Sequence, residues 1–341
     1  MRRDSERRDA RGRPYALVIG ASTTIGAEYA RQLAERGYDL IIVARRSALL
    51  EALASEICAW NEVAVRPLAL DLLEDGAVER LLALAARLPV EFVVCNANLH
   101  RVGLFENMDL DTKLRMVRIN SELPMRVAHA LGPAMIERGR GHLLFVNALN
   151  CLTALEFDAV FQATKSFLLV FGESLWAEYR RHGVKVGVSM VSGIEGSESY
   201  EKKLSPLKRT LVQWAGASMS PERIVTQSLK QLDAGECILI PDVAVPVNRL
   251  GYQLGIAARS ARSGTLTRAM SGFYRWLLDG EEARAAGLHG SQGANDASTA
   301  TATDPQAADL TDDETASRLP TAKGAHAARV TPFPARPEAR P

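Results

Sequence analysis

The stretch DAVFQATKSFLLVFGESL places Phe161 and Lys165 four residues apart, on one face of any helix that forms there. A lysine on that apolar face is costly unless its ammonium reaches water or a partner. Near the start of the chain, VIGASTTIGAEYARQL carries Gly20 and Gly26 around a turn that opens a helix. Backbone N–H groups and the helix dipole meet at such a turn, which suits the pyrophosphate of a dinucleotide. Two glycines six apart are a weak signal by themselves. They gain weight from Arg45 and Arg46 after the second apolar run, and from Asp71 and Leu72 after the third. Each has a plainer reading. The turn could serve helix–strand packing only, the arginines could be a solvated loop pair, and Asp71 could cap a helix beginning near Glu74.

These groups need a frame, and the apolar patterning supplies one. Short runs rich in Val and Ile (YALVIG, DLIIVA, VAVRPLAL, EFVVCN, HLLFVN, VKVGVSMV and ECILIP) read as buried strands. Helical patterns alternate with them, including GAEYARQLAERG and ALLEALASEICAW, with two longer ones at about 111–138 and 158–182. Such alternation predicts an α/β fold: a Rossmann-type, doubly wound parallel sheet with helices on both faces, in a single domain. The two long helices can offer apolar stripes to another subunit, so a homo-oligomer is expected.

Residues 1–13 read as a flexible leader. The six arginines of MRRDSERRDARGRP are interleaved with Asp4, Glu6 and Asp9, and no apolar targeting segment accompanies them. The domain spans 14–282 and ends in a helical extension after Pro241, while 283–341, rich in Ala, Thr, Gly, Asp and Pro, reads as a disordered tail. A net charge of +1 gives no reason to expect a nucleic-acid partner. No run of about 18 apolar residues occurs, so no stable membrane insertion is expected. Cys58, Cys95, Cys151 and Cys237 form no C-x-x-C pair, and without a secretory segment they predict reduced thiols in a cytoplasm. The histidines at 100, 129, 142, 182, 289 and 326 lack metal-ligand spacing, and no metal site is expected.

From about Pro14 to Pro241 the motifs follow the order and spacings of the short-chain dehydrogenase/reductase family, which the chain resembles. The resemblance implies a role for each matching residue. The family's glycine turn, Thr-Gly-x-x-x-Gly-x-Gly, is met by Gly20 and Gly26, with Ser22 between them. Thr24 stands at the middle glycine, Ile25 follows it, and Ile19 replaces the leading threonine. A β-branched Thr24 adds bulk where the pyrophosphate would lie. Members that prefer NAD carry an acid at the end of the second strand. Here Ala44 is followed by Arg45 and Arg46, which points to the 2′-phosphate of NADP(H). Asp71, before Leu72, would contact the adenine amino group. Asn96 and Ala97 match the Asn-Asn-Ala-Gly pattern, whose glycine is Asn98 here, a residue that tolerates a left-handed backbone. After the sixth strand Gly193 keeps the family's Pro-Gly turn although Ser192 replaces the proline, and Ser197 falls near the hydroxyl that touches the carboxamide. Glu195, in that loop, is either a carboxylate near the nicotinamide end or a solvated residue.

The family's chemistry rests on four residues, and two remain. Asn120 matches the asparagine that holds a water and links the lysine to solvent. Lys165 matches the lysine of Tyr-x-x-x-Lys. Phe161 takes the tyrosine's place and Ala148, thirteen residues earlier, the serine's. In the family the lysine lowers the tyrosine pKa so that a proton passes to a carbonyl oxygen, which the serine also bonds. Phe161 has no proton to pass and Ala148 has no donor. Acid–base assistance is worth about 10²–10⁴-fold and one oxyanion donor about 10²–10³-fold, and the two losses overlap. The chain is therefore expected to bind NADP(H) if any dinucleotide, with Lys165 on the nicotinamide ribose, and to show little or no ordinary carbonyl reductase activity. It would act on a small-molecule ligand as a non-redox binding module, or as the silent subunit of a hetero-oligomer with an active relative. Two alternatives stay open. One is a repurposed enzyme for cyclisation, isomerisation or elimination, using Asn147, Asn150, Cys151, Gln162, Glu195 and His100. The other is an NADPH-dependent oxidoreductase with a substitute proton donor, for which His100, near the cleft mouth, is a candidate acid.

Overall fold

The seven apolar runs pair into one sheet. The computed structural model describes residues 12–152, 155–191, 193–197 and 218–241. In chain order these form β1 (Tyr15–Ile19), α1 (Thr24–Glu35), β2 (Asp39–Ala44), α2 (Ser47–Trp60), β3 (Val65–Ala69), α3 (Ala77–Ala85) and β4 (Val90–Cys95). Then come α4 (Leu110–Val117), a π-helical turn (Arg118–Glu122), α5 (Leu123–Arg138), β5 (Gly141–Ala148), α6 (Ala159–Tyr179) and β6 (Val184–Val191). The short strands β7 (Gly193–Ile194) and β8 (Ser218–Met219) precede α7 (Pro221–Asp233) and β9 (Ile238–Leu239). Seven strands lie parallel in the order β3-β2-β1-β4-β5-β6-β9, and β7 pairs with β8 apart from them.

The strands are apolar throughout because both faces of the sheet are covered. In β1, Leu17 and Ile19 enter one core with α3, α5 and α6, while Ala16 and Val18 enter the other with α1, α2 and α7. This is the doubly wound α/β arrangement expected from the alternation. The strand order reverses between β1 and β4, which leaves a crevice at their C-terminal ends.

Four local expectations are corrected. The pattern at 111–138 is α4 and α5 joined by a π-helical turn rather than one regular helix. The helix expected near Glu74 starts at Ala77, behind Gly76 in a left-handed conformation. Among the described residues the only non-glycine with positive φ is Phe157, so Asn98 does not use its tolerance of a left-handed backbone. Of ECILIP only Ile238 and Leu239 form a strand, joined to β6 there and through the Val188 N–H, which donates to the Cys237 carbonyl at 2.7 Å. Residues 1–11 of the expected leader, and the expected helical extension and tail from 242 onward, lie outside the described residues.

The long helices leave Leu114, Val117, Met125, Phe167 and Val170 exposed, and an open apolar groove of about 540 Å³ runs between α5 and α6. Among the described residues no helix is long and apolar enough to cross a membrane.

The closest backbone approach lies at the crevice. A Cβ on Gly26 would sit 2.1 Å from the Gly20 carbonyl oxygen and 2.6 Å from Asn96 Nδ2. Gly26→Ala is therefore expected to cost about 1–3 kcal/mol by overpacking, read as a fall in the urea midpoint.

Candidate active site

The glycine turn hangs from β2 and β4. Gly20 and Ala21 donate their N–H groups to the Val43 carbonyl, at 2.8 and 3.0 Å. Gly20 takes φ 91, and a Cβ there would lie 2.6 Å from Ala97 N. Only glycine fits both demands. Asn96 Nδ2 donates to the Gly20 carbonyl at 2.9 Å and to Thr23 Oγ1 at 2.8 Å. Thr23 caps α1 by accepting the Gly26 N–H at 3.2 Å and donates to Gly20 O at 3.0 Å. Ile25 is buried beneath the turn. No acidic residue stands in the first turn of α1, so its N-terminus keeps its favourable field for an anion.

The groups expected around this turn take defined places. Thr24 Oγ1 donates across the crevice to the Gly196 carbonyl at 3.4 Å, so the hydroxyl points to the loop after β6. Arg46 donates to the Ser22 carbonyl at 2.7 Å and folds onto the turn, while Arg45 is exposed beside it. Asp71 accepts the Leu73 N–H at 3.0 Å and shapes a local turn, and Leu72 packs on the core. Gly193 pairs with Ser218, and the Ser197 N–H donates to the Ile194 carbonyl. Glu195 accepts from Ser218 Oγ at 3.2 Å, which ties its carboxylate to β8. Ser192 lies outside the described residues.

At the centre, α6 is pressed on β5 and β6, and Lys165 is buried with only 4% of its surface exposed. Its Nζ donates to the Val146 carbonyl at 3.3 Å and lies 5.5 Å from the centre of the Phe161 ring. Desolvation pushes its pKa down from 10.5 to about 8. Asn147 Nδ2 fixes the lysine's own carbonyl at 3.1 Å, and its Oδ1 accepts the Ala148 N–H at 2.9 Å. Asn120 stands in the π-helical turn. Its Oδ1 accepts the Leu99 N–H, and its Nδ2 donates to the Leu99 carbonyl and to Thr164 Oγ1, at 2.9, 2.9 and 3.1 Å. Asn120, Phe161 and Lys165 are thus brought together beside the end of β5, where Ala148 lies.

Sequence reasoning missed three residues here. Thr23 and Thr164 are hubs of the hydrogen bonds above, and only the position of Thr23 just before a helix hinted at its role. Asp158 read as a helix start, but its carboxylate bonds His100. Among the described residues no group of three His, Cys, Asp or Glu could hold a metal ion.

The arrangement defines a doubly wound α/β protein whose polar groups gather at the C-terminal ends of β1, β4 and β5. Residues 14–205 match the model of the short chain dehydrogenase family, and the chain belongs to that family. It is similar to a 7beta-hydroxysteroid dehydrogenase of Clostridium sardiniense, 30% identical over 221 residues, 64% of this chain and 82% of the relative. A very-long-chain 3-oxoacyl-CoA reductase of Phaeosphaeria nodorum is 30% identical over 212 residues, 60% of this chain and 62% of the relative. The match therefore spans less than two thirds of that reductase. Among solved structures, a short-chain dehydrogenase from Sphingobium yanoikuyae in complex with NADPH has a TM-score of 0.62 at 24% identity, covering 74% of this chain and 97% of its own. That likeness shows the shared fold.

The buried lysine leaves a mark on stability. Its proton leaves near pH 8 in the folded chain and near 10.5 in the unfolded one. Between those values the unfolded chain binds more protons, so stability rises with pH, by at most about 1.4 kcal/mol per pH unit. Burial pushes the Cys95 and Cys237 thiols up to about 12, which lowers stability over the same range. Urea midpoints at pH 8 and pH 10 should therefore show the wild type rising relative to Lys165→Met rather than in absolute terms.

Proposed function

We propose that the protein binds NADP(H) in the crevice and that carbonyl reduction by the family's usual serine–tyrosine route is closed to it. The observation that carries this reading is the pairing of retention and loss at one place. Lys165 and Asn120 stand in an ordered, buried constellation, while a phenyl ring and a methyl group occupy the two positions that would handle the proton and the oxygen.

The residues present suit such a cofactor. The glycine turn and the N-terminus of α1 offer backbone N–H groups to a pyrophosphate. Arg45 and Arg46 stand where a 2′-phosphate would meet guanidinium, and Lys165 could donate to ribose oxygens. When bound, the cofactor would supply hydride to a carbonyl carbon or accept it from an alcohol. Around it, the chain's own groups bind and orient, but Phe161 gives no proton to an oxygen. The names of the two relatives, a hydroxysteroid dehydrogenase and a long-chain 3-oxoacyl-CoA reductase, support a bulky, largely apolar carbonyl or alcohol as the ligand.

Fluorescence titration should show NADPH binding more tightly than NADH. Replacing Arg45 and Arg46 together by Ala should weaken NADPH by roughly 10- to 100-fold, the worth of one charge-assisted contact, and leave NADH nearly unchanged. The double variant Phe161→Tyr with Ala148→Ser should raise NADPH-dependent reduction of ethyl benzoylformate by about 10²-fold or more. No binding at millimolar NADPH would defeat the reading.

A further inference from the structure

A histidine and a carboxylate meet at the face of the phenyl ring. His100 Nε2 lies 2.9 Å from Asp158 Oδ1. The Asp158 side chain is fully enclosed, whereas that of His100 is 23% exposed. From the next turn of α6, Gln162 Nε2 donates to the other Asp158 oxygen at 2.9 Å. The imidazole stacks on Phe161, with ring centres 3.9 Å apart and planes 27° from parallel. It therefore lies against the ring that replaces the family's phenol.

Two details set this pair apart from ordinary helix-end packing. Asp158 occupies the N-cap position of α6, yet its side chain makes no capping bond there. Its two oxygens are turned to His100 and Gln162 instead. The residue before it, Phe157, takes φ 69, and its carbonyl accepts the Gly103 N–H at 2.8 Å. A bulky residue held in that region costs about 1–3 kcal/mol and persists only where its surroundings impose it. Here the reversal delivers the carboxylate beneath the imidazole.

With Nε2 engaged by Asp158, Nδ1 is the ring nitrogen left to meet a ligand. Resting on the NADP(H) reading above, we propose that His100, positioned by Asp158, gives the proton to a carbonyl oxygen in the role that Phe161 cannot fill. The bound cofactor would supply the hydride and be oxidised as the carbonyl is reduced to an alcohol. In the same step the His100 Nδ1–H bond breaks, its electron pair stays on the ring, and the proton forms an O–H bond on the former carbonyl oxygen. Asp158 stabilises the imidazolium before transfer and keeps the proton on Nε2 after it. Water at the exposed edge of the ring restores the Nδ1 proton. Oxidation of an alcohol runs through the same atoms in reverse.

The full chain serves for the test. Diethyl pyrocarbonate followed by mass spectrometry should show His100 modified, and saturating NADPH should slow that modification while exposed His129 and His182 react as before. His100→Phe keeps a ring to stack on Phe161. With NADPH and ethyl benzoylformate it should lower kcat by about 10²-fold and leave NADPH affinity unchanged. Asp158→Asn should lower kcat too, and ¹⁵N NMR at a pH where the ring is neutral should show His100 changing from the Nε2–H tautomer to a mixture. A carboxylate with a structural role alone would leave the tautomer as it was. NADPH binding without protection of His100 overturns the proposal, as does a wild-type rate in His100→Phe. So does a wild type that leaves the ketone untouched while Phe161→Tyr with Ala148→Ser reduces it. Failure of NADPH to bind is a separate result, which removes the cofactor reading and this one together.

Discussion

A buried amine constrains this cleft more than any other group. Gly172 lets α6 lie close on β6, since a Cβ there would come within 2.3 Å of Val188 Cγ2. That contact carries Lys165 below the surface, where its Nζ donates to the Val146 carbonyl. The Phe161 ring at 5.5 Å adds a cation–π attraction of about 2 kcal/mol at most. Desolvation pushes the amine's pKa down to about 8. Ligand oxygens placed in the crevice would supply further bonds to this amine.

The glycine turn shows the opposite economy. Its polar groups satisfy one another through Asn96, Thr23 and Gly20, and its shape does not depend on a ligand. Thr24, which adds bulk at the family's middle glycine, spends its hydroxyl on Gly196 across the crevice. The turn is thus narrowed at its mouth but intact at its base. Behind it, Phe161 is buried and stacks on His100.

The sheet was legible in the sequence because buried parallel strands read as unbroken apolar runs, and each of the seven expected strands is present. Phe161 and Lys165 were legible as neighbours because four residues make one helical turn. Other features had no local signature. The π-helical turn that carries Asn120 leaves the surrounding apolar pattern unchanged, so 111–138 read as one helix. His100 and Asp158 stand 58 residues apart, and only the approach of the segment after β4 to the start of α6 joins them. Asp158 read only as the start of a helical pattern, and its side chain makes no capping bond there. Among the described non-glycines the left-handed residue is Phe157, not Asn98, an unfavourable type that composition would never nominate.

If a dinucleotide bonds Lys165 as proposed, its amine should report the binding. A titration of that amine by NMR, with and without NADP⁺, tests this most directly. The midpoint should lie near pH 8 in the free chain and move upward with NADP⁺, since ribose oxygens and phosphate favour the charged form. A midpoint at the ordinary lysine value, or one that stays fixed while NADP⁺ binds, would contradict the account.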